Sequence, residues 1–262
     1  MSAPAQTPAP PLHRSHIWQH LPTVPEALAS LMRTVVVALF LLTFVLQPFM
    51  IPSESMERTL LVGDFVLVNK QIFAPSGGVH SVARWLMPYR DVERGDIVVF
   101  HHPEPPYLVK RVVGIPGDHI RIADGKVSVN GVQLEEPYAT FEPVPPNQFG
   151  ENFPTSIYTD FNVDPTWWRE LQTLIRNGEL IVPSGEYFMM GDNRNHSKDS
   201  RFWGFVPRKE IIARPLVIYF SLRRPSATDV QQAADDRLGH DRELSARLAA
   251  FARWKRIFRV VH

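Results

Sequence analysis

Eighteen consecutive residues, Thr34 to Ile51 (TVVVALFLLTFVLQPFMI), carry no charge. As a helix rising 1.5 Å per residue, this run spans about 27 Å, close to the thickness of a bilayer core. Arg33 stands at its edge, where a long side chain snorkels toward the headgroups and lets residues 27–32 add length. A core helix of a soluble domain would alternate apolar and polar faces, and this run has no such periodicity. A cleaved leader would end in a small-x-small site, whereas Gln47-Pro48-Phe49-Met50 follow the apolar centre. The run therefore predicts an uncleaved transmembrane anchor over residues 27–51. Arg14, Arg33 and the amino terminus precede it, and Arg58 and Lys70 follow. That slight bias favours an N-terminus on the cytoplasmic side.

The rest of the 262 residues divides by texture. Residues 1–26 hold six prolines (Pro4, Pro8, Pro10, Pro11, Pro22 and Pro25) among Ala, Ser and Gln, which predicts a disordered tail. Twenty-eight Lys+Arg stand against 27 Asp+Glu, so net charge gives no reason to expect nucleic-acid binding. With no cysteine, a disulfide scaffold, a thiol nucleophile and a thiolate-held metal are excluded.

Residues 52–223 read as a mainly β domain, an antiparallel sheet or barrel-like core. Short β runs recur behind Gly-Asp punctuation: Phe65–Asn69, Ile97–Phe100 and Leu108–Val113. Ile120–Ile122 and Lys126–Val129 flank Asp124-Gly125, a hairpin signal, and Asn130-Gly131 marks a second turn. Glu186–Met190 and Ile211–Phe220 close the series. Residues 137–184 interrupt it with seven prolines and read as an inserted subdomain. One helix is signed there, with Asp164 as N-cap, Pro165 at its first position, Gly178 as its stop, and Trp167, Leu171, Leu174 and Ile175 as its apolar face. The segment 224–262 ends in an amphipathic stretch. Leu244, Leu248, Phe251, Trp254, Phe258 and Val261 share one helical stripe, and five Lys/Arg lie among residues 244–262 without an acid. It suits an anionic membrane surface, or a helix or strand packed on the domain with a solvated basic face, equally.

No phosphate loop, dinucleotide fingerprint, GxSxG or HExxH is present. His101-His102 lack a spaced third ligand, and neighbours on a strand point to opposite faces, so no metal site is expected. The serines of Pro52-Ser53-Glu54-Ser55-Met56 need a base to become nucleophilic. A lysine serves if burial strips its proton, as in Ser–Lys proteases. Period-2 alternation places Leu108, Lys110 and Val112 on one face of a strand, an apolar face that presses the Lys110 ammonium out of water. Arg111 takes the other face. Lys70, beside Gln71 at a strand end, is the more solvated lysine, suited to a salt bridge.

Four boxes occur in order: Pro52-Ser53-x-Ser55-Met56-x-x-Thr59-Leu60; Gly63-Asp64; Lys110-Arg111-Val112-Val113-Gly114-Ile115-Pro116-Gly117-Asp118; and Gly191-Asp192-Asn193-Arg194-x-x-Ser197-x-Asp199-Ser200-Arg201-x-x-Gly204. Together, and behind an apolar anchor, they resemble the sequence boxes of bacterial type I signal peptidases. The resemblance covers about Phe49 to Phe220, and more loosely Arg253–His262.

That resemblance implies a Ser–Lys endopeptidase that needs no cofactor. Ser55 matches the nucleophile and Lys110 the general base. The Ser55 N–H and Ser53 Oγ match an oxyanion hole, and Ser197 the serine that orients the lysine. Asp199 and Arg201 match a supporting charged pair, while Asp192 and Arg194 brace the same loop. Phe49, Ile51, Met56, Leu60, Leu108 and Val109 match positions lining shallow apolar pockets. The implied partners are exported preproteins, cut after small-x-small sites and bound extended by β-addition, with membrane lipid around the anchor. The implied location is a single-pass cell-membrane protein with its catalytic domain outside the cytoplasm. Glu54 stands where many members carry glycine, Asn195 where aspartate is common, and His196 where asparagine is common. A self-cleaving Ser–Lys protease or a non-catalytic membrane-tethered β adaptor are the rival readings. The joint presence of Ser55, Lys110 and Ser197 argues against the adaptor.

Overall fold

The computed structural model describes residues 24–73, 90–103, 106–141, 148–155, 160–223 and 251–262. The described residues begin at Val24, so residues 24–26 of the expected proline-rich tail already belong to a helix, and residues 1–23 lie outside the described residues.

Helix α1 spans Val24–Phe40 and buries none of its residues within the protein. Residues 24–43 have a mean hydropathy of 1.8, and this is the one helix among the described residues long and apolar enough to cross a membrane. A π-helical turn covers Leu41–Val45. Leu46–Met50 then form strand β1 rather than more helix. The uncharged run thus serves two structures, because an apolar edge strand and an apolar helix share the same composition.

The remaining residues form two antiparallel sheets. The larger has β2 (Asp64–Asn69), β3 (Ile97–His101), β4 (Tyr107–Gly114), β10 (Glu186–Met190), β11 (Val206–Pro207), β12 (Ile211–Ser221) and β13 (Arg259–Val260) beside β1. Its order is β1-β2-β12-β3-β4-β10-β11, with β13 on β12. The smaller contains β5 (His119–Ala123), β6 (Lys126–Val129), β7 (Val132–Gln133), β8 (Ile175–Arg176) and β9 (Glu179–Ile181), in the order β7-β6-β5-β9-β8. The β5–β6 turn uses Asp124 and Gly125, both at positive φ (48° and 75°), the conformation a two-residue hairpin demands.

The 137–184 stretch is woven into the smaller sheet's layer. It supplies α2 (Gln148–Glu151), α3 (Pro165–Leu174), β8 and β9. Asp164 caps α3 by accepting from the Thr166 and Trp167 amides. Gly178 does not stop that helix: Ile175 already belongs to β8, and Asn177-Gly178 turn β8 into β9. Trp167 and Leu171 join Ile120, Ile122, Val127 and Phe188 in the largest buried cluster. Of the 244–262 stretch, residues 244–250 lie outside the described residues, and residues 251–262 follow the packed-strand reading rather than the helical one. Their Trp254–Arg256 turn and β13 bury Val261 while leaving Trp254 and Phe258 60% and 78% exposed. A sheet edge supplied hydrogen bonds that the short segment could not make as an isolated helix.

Candidate active site

Ser55 sits in a 3-10 turn, Glu54–Met56, between β1 and β2. Ile51, Met56 and Leu60 are buried around it and anchor the turn by their side chains. Ser55 is itself buried, and its Oγ lies 3.4 Å from Ser53 Oγ, which is exposed. The turn packs against β4, the strand that carries Lys110.

Lys110 is 2% exposed. Val98 stands opposite it on β3, and Val112 and Val98 continue the apolar face. Burial pulls its ammonium down from the ordinary lysine value to about 8; the charge of Asp199 opposes this, Arg201 adds to it, and Asp192 opposes it. Strand alternation therefore foretold the enclosure. The other face of β4 is no more open, so Arg111 enters a buried ion pair rather than water.

The Gly191–Arg201 loop joins these elements. Gly191 has no room for a side chain: a Cβ there would collide with Ser197 Oγ and with the Ser55 carbonyl. The Ser55 carbonyl accepts from the Asn193 amide at 3.1 Å, so the backbone of Ser55 is held by the loop. Ser197 Oγ is buried beside Gly191 and makes no hydrogen bond.

Each acid of the loop has an arginine. Asp199 pairs with Arg201 at 2.8 and 2.9 Å. Burial resists the Asp199 charge, but Arg201 outweighs it and holds the carboxyl below the usual range. Asp192 and Arg194 do not pair with one another. Asp192 takes Arg111 at 2.8 and 2.7 Å, plus the Thr59 hydroxyl at 2.5 Å. Arg194 takes Glu136 at 2.8 and 2.6 Å.

Glu136 was invisible in the sequence, and it belongs to a strap over the loop. Thr140 N donates to Asp192 O at 2.8 Å and Thr140 O accepts from Arg194 N at 2.9 Å. The Arg111 guanidinium lies 3.8 Å from the Tyr138 ring centroid. Burial, then Glu136, pushes the Tyr138 phenol up to about 12, so it remains a donor to Glu136. These contacts join residues 58 and 81 positions apart, and no local motif announces them.

The implied pocket residues fall into two groups. Ile51, Met56 and Leu60 share one cluster, against which Val109 packs; Val109 and Phe49 also pack against Val68 and Val99. Leu108 packs instead against the cluster containing Phe100, and lines a separate cleft of about 1270 Å³ with Phe161, Trp203 and Phe205. Lys70 lies apart from the loop and donates to the Thr43 carbonyl at 2.9 Å, not to an acid. His101 and His102 form no metal-binding group, and none of three or more His, Cys, Asp or Glu occurs among the described residues.

Comparison with known proteins places this geometry. Residues 24–220 match the family described as signal peptidase, peptidase S26. A signal peptidase I of Pseudomonas fluorescens is 35% identical over 206 residues, covering 72% of this chain and 70% of the relative. That of Aquifex aeolicus is 32% identical over 248 residues, covering 78% and 87%. The crystal structure of a signal peptidase I from Enterococcus faecalis, 30% identical, aligns with 48% of this chain and 97% of its own, at a TM-score of 0.32. With a family match across most of its length, a buried lysine beside a serine-bearing turn, and an exposed apolar helix before the sheets, this chain belongs to the signal peptidase family, peptidase S26.

Proposed function

We propose that this chain is a signal peptidase I that cuts exported precursors with Ser55 as nucleophile and Lys110 as general base. Family membership makes it a serine endopeptidase, and the apolar helix makes it a membrane-anchored protein. The observation that carries the catalytic assignment is Lys110, buried and drawn down to about 8, so that a neutral amine is available near neutral pH.

In this reading Lys110 takes the Ser55 hydroxyl proton as Oγ attacks the scissile carbonyl. The tetrahedral oxyanion forms against the Ser55 N–H and Ser53 Oγ–H, donors that meet charge present only in that state. Collapse breaks the C–N bond, and the Lys110 ammonium returns its proton to the leaving amine. A water, deprotonated by Lys110, then hydrolyses the acyl-enzyme and frees Ser55. Ser197, with its uncommitted buried hydroxyl, orients the amine. The precursor lies extended beside β1, the terminal strand of its sheet, with small residues over Phe49, Ile51, Met56, Leu60 and Val109. Residues 52–223 work outside the cytoplasm and residues 1–26 inside it.

Cleavage of a model preprotein by wild type and Ser55→Ala side by side tests the assignment. Retained cleavage by Ser55→Ala refutes it, and an inactive wild type would favour an adaptor. Protease treatment of inverted vesicles tests the sidedness: digestion of the domain after Ile51 would reverse it.

A further inference from the structure

Residues 251–262 return to the sheet from 192 positions away in sequence, and they touch both sides of the proposed dyad. Arg256 is 9% exposed. Its guanidinium meets Asp64 at 3.1 and 2.5 Å, and its Nη2 also donates to the Thr59 carbonyl at 2.9 Å. Thr59 lies four residues after Ser55. Its hydroxyl is the one bound by Asp192, so this residue is held at both ends, by Arg256 and by the loop.

Two further contacts extend the reach. Val261, 5% exposed, packs in one cluster with Ile51, Met56 and Leu60, which flank Ser55 on either side. The His262 carbonyl accepts from Arg111 Nη2 at 3.3 Å, and Arg111 neighbours Lys110 on β4. The segment is itself fixed to β12, through Phe258 N to Ile218 O at 2.7 Å and Val261 N to Leu216 O at 2.9 Å. Edge pairing of this kind would be complete without any contact to the nucleophile turn. The Arg256–Thr59 bond and the Val261 packing are additional to it.

We infer that residues 256–262 are a positioning strap, in which Arg256 and Val261 set the place of the Ser55 turn against the Lys110 strand. The inference rests on the Ser55–Lys110 reading above. Arg256 touches no reacting atom and acts through Thr59. A guanidinium suits this task because its fork serves a carboxylate and a carbonyl at once, whereas an ammonium is a single point of charge. A displacement of about 1 Å at a reacting pair costs up to about 100-fold in rate.

The test uses the full chain in detergent with a model preprotein and a small serine-directed acylating probe. Four variants are compared with wild type: Arg256→Lys, Val261→Ala, Val261→Ile and Ser55→Ala. Burst amplitude with the probe gives the fraction of folded, competent sites, and the burst rate reports alignment. Arg256→Lys and Val261→Ala are expected to keep full burst amplitude and KM within about twofold, while kcat and burst rate fall about tenfold or more. Val261→Ile, which keeps a β-branched apolar side chain in the cluster and adds one methylene, is expected to lose less rate than Val261→Ala. A fall in amplitude at unchanged burst rate means that the segment only stabilises the fold, and overturns the inference. Wild-type kcat in both Arg256→Lys and Val261→Ala overturns it too, while leaving the dyad standing. Cleavage or labelling retained by Ser55→Ala instead removes the reading on which it rests.

Discussion

Arg201 grips Asp199 through two hydrogen bonds, Nε to Oδ1 at 2.8 Å and Nη2 to Oδ2 at 2.9 Å, with both side chains buried. The same guanidinium also donates to the Arg194 carbonyl at 2.6 Å. Asp199 is therefore committed before Lys110 can claim it. The pattern repeats around the site: Arg111 holds Asp192 and Arg194 holds Glu136. Four cationic side chains, Lys110 and the three arginines, face three carboxylates. The arginines cannot release a proton near neutral pH, so electrical balance in this dry region falls to Lys110.

Activity is accordingly expected to rise with pH through about 8 on its acid side, as the Lys110 ammonium loses its proton. The sign follows from the role: a base works only when neutral, so cleavage is lost below that value. Stability follows the same linkage. Between about 8 and the ordinary lysine value of 10.5, an unfolded chain keeps a proton here that the folded chain has released. This residue therefore contributes more stability as pH rises through that window. A pH profile of kcat/KM against a model preprotein checks the first point. An acid limb centred below about 6 would contradict it.

Gly191→Ala is expected to stop catalysis without unfolding the protein at moderate temperature. The added methyl would meet Ser197 Oγ and the Ser55 carbonyl, and the loop and the turn must part to admit it. Overpacking of this kind costs about 1–3 kcal/mol, which a thermal melt resolves as a lowered Tm. Wild-type kcat in the variant would show that Ser55 and Ser197 need not be so close.

Glu136→Gln leaves the Arg194 guanidinium, buried in the folded protein, opposite a neutral amide. Removing one member of a buried pair costs about 3 kcal/mol or more. Denaturant unfolding is expected to show that loss with an unchanged m-value. Preprotein cleavage well below the midpoint is expected to fall as well, because Arg194 Nε also holds the Gly191 carbonyl at 3.1 Å.

Lys70→Ala is expected to keep most activity. Its ammonium reaches the Thr43 carbonyl from an exposed position and touches none of the loop acids. Loss of cleavage in folded Lys70→Ala, with Lys110→Ala active, would reassign the base.

Much of this was legible in the sequence where the signal is local. Gly-Asp and Asn-Gly punctuation located β2, β3 and the β5–β6–β7 meander, and alternation in β4 showed why Lys110 would be dry. Strand β1 was hidden inside the charge-free run, since lipid-facing helix and apolar strand have the same composition. The stripe at 244–262 left a packed helix and a packed strand both open, because its spacing permits either, and at residues 259–260 pairing with β12 decided for the strand. Glu136, Tyr138 and Thr140 carried no signal at all. Their importance comes from partners that only the folded topology brings near, and the same is true of the partners of Asp64, whose box was visible but whose role was not.

Asp64 has one more consequence, in the order of synthesis. Its carboxylate is fully buried, and it is satisfied by Ser221 at 2.6 Å and by Arg256, 157 and 192 residues downstream. A chain emerging from its amino end presents the serine-bearing turn early and these partners late. Until residues 221 and 256 arrive, a buried Asp64 has the local Leu61 N–H but no cation, so closing the turn costs free energy. The serine-bearing turn is thereby favoured only once residues 221 and 256 have reached Asp64.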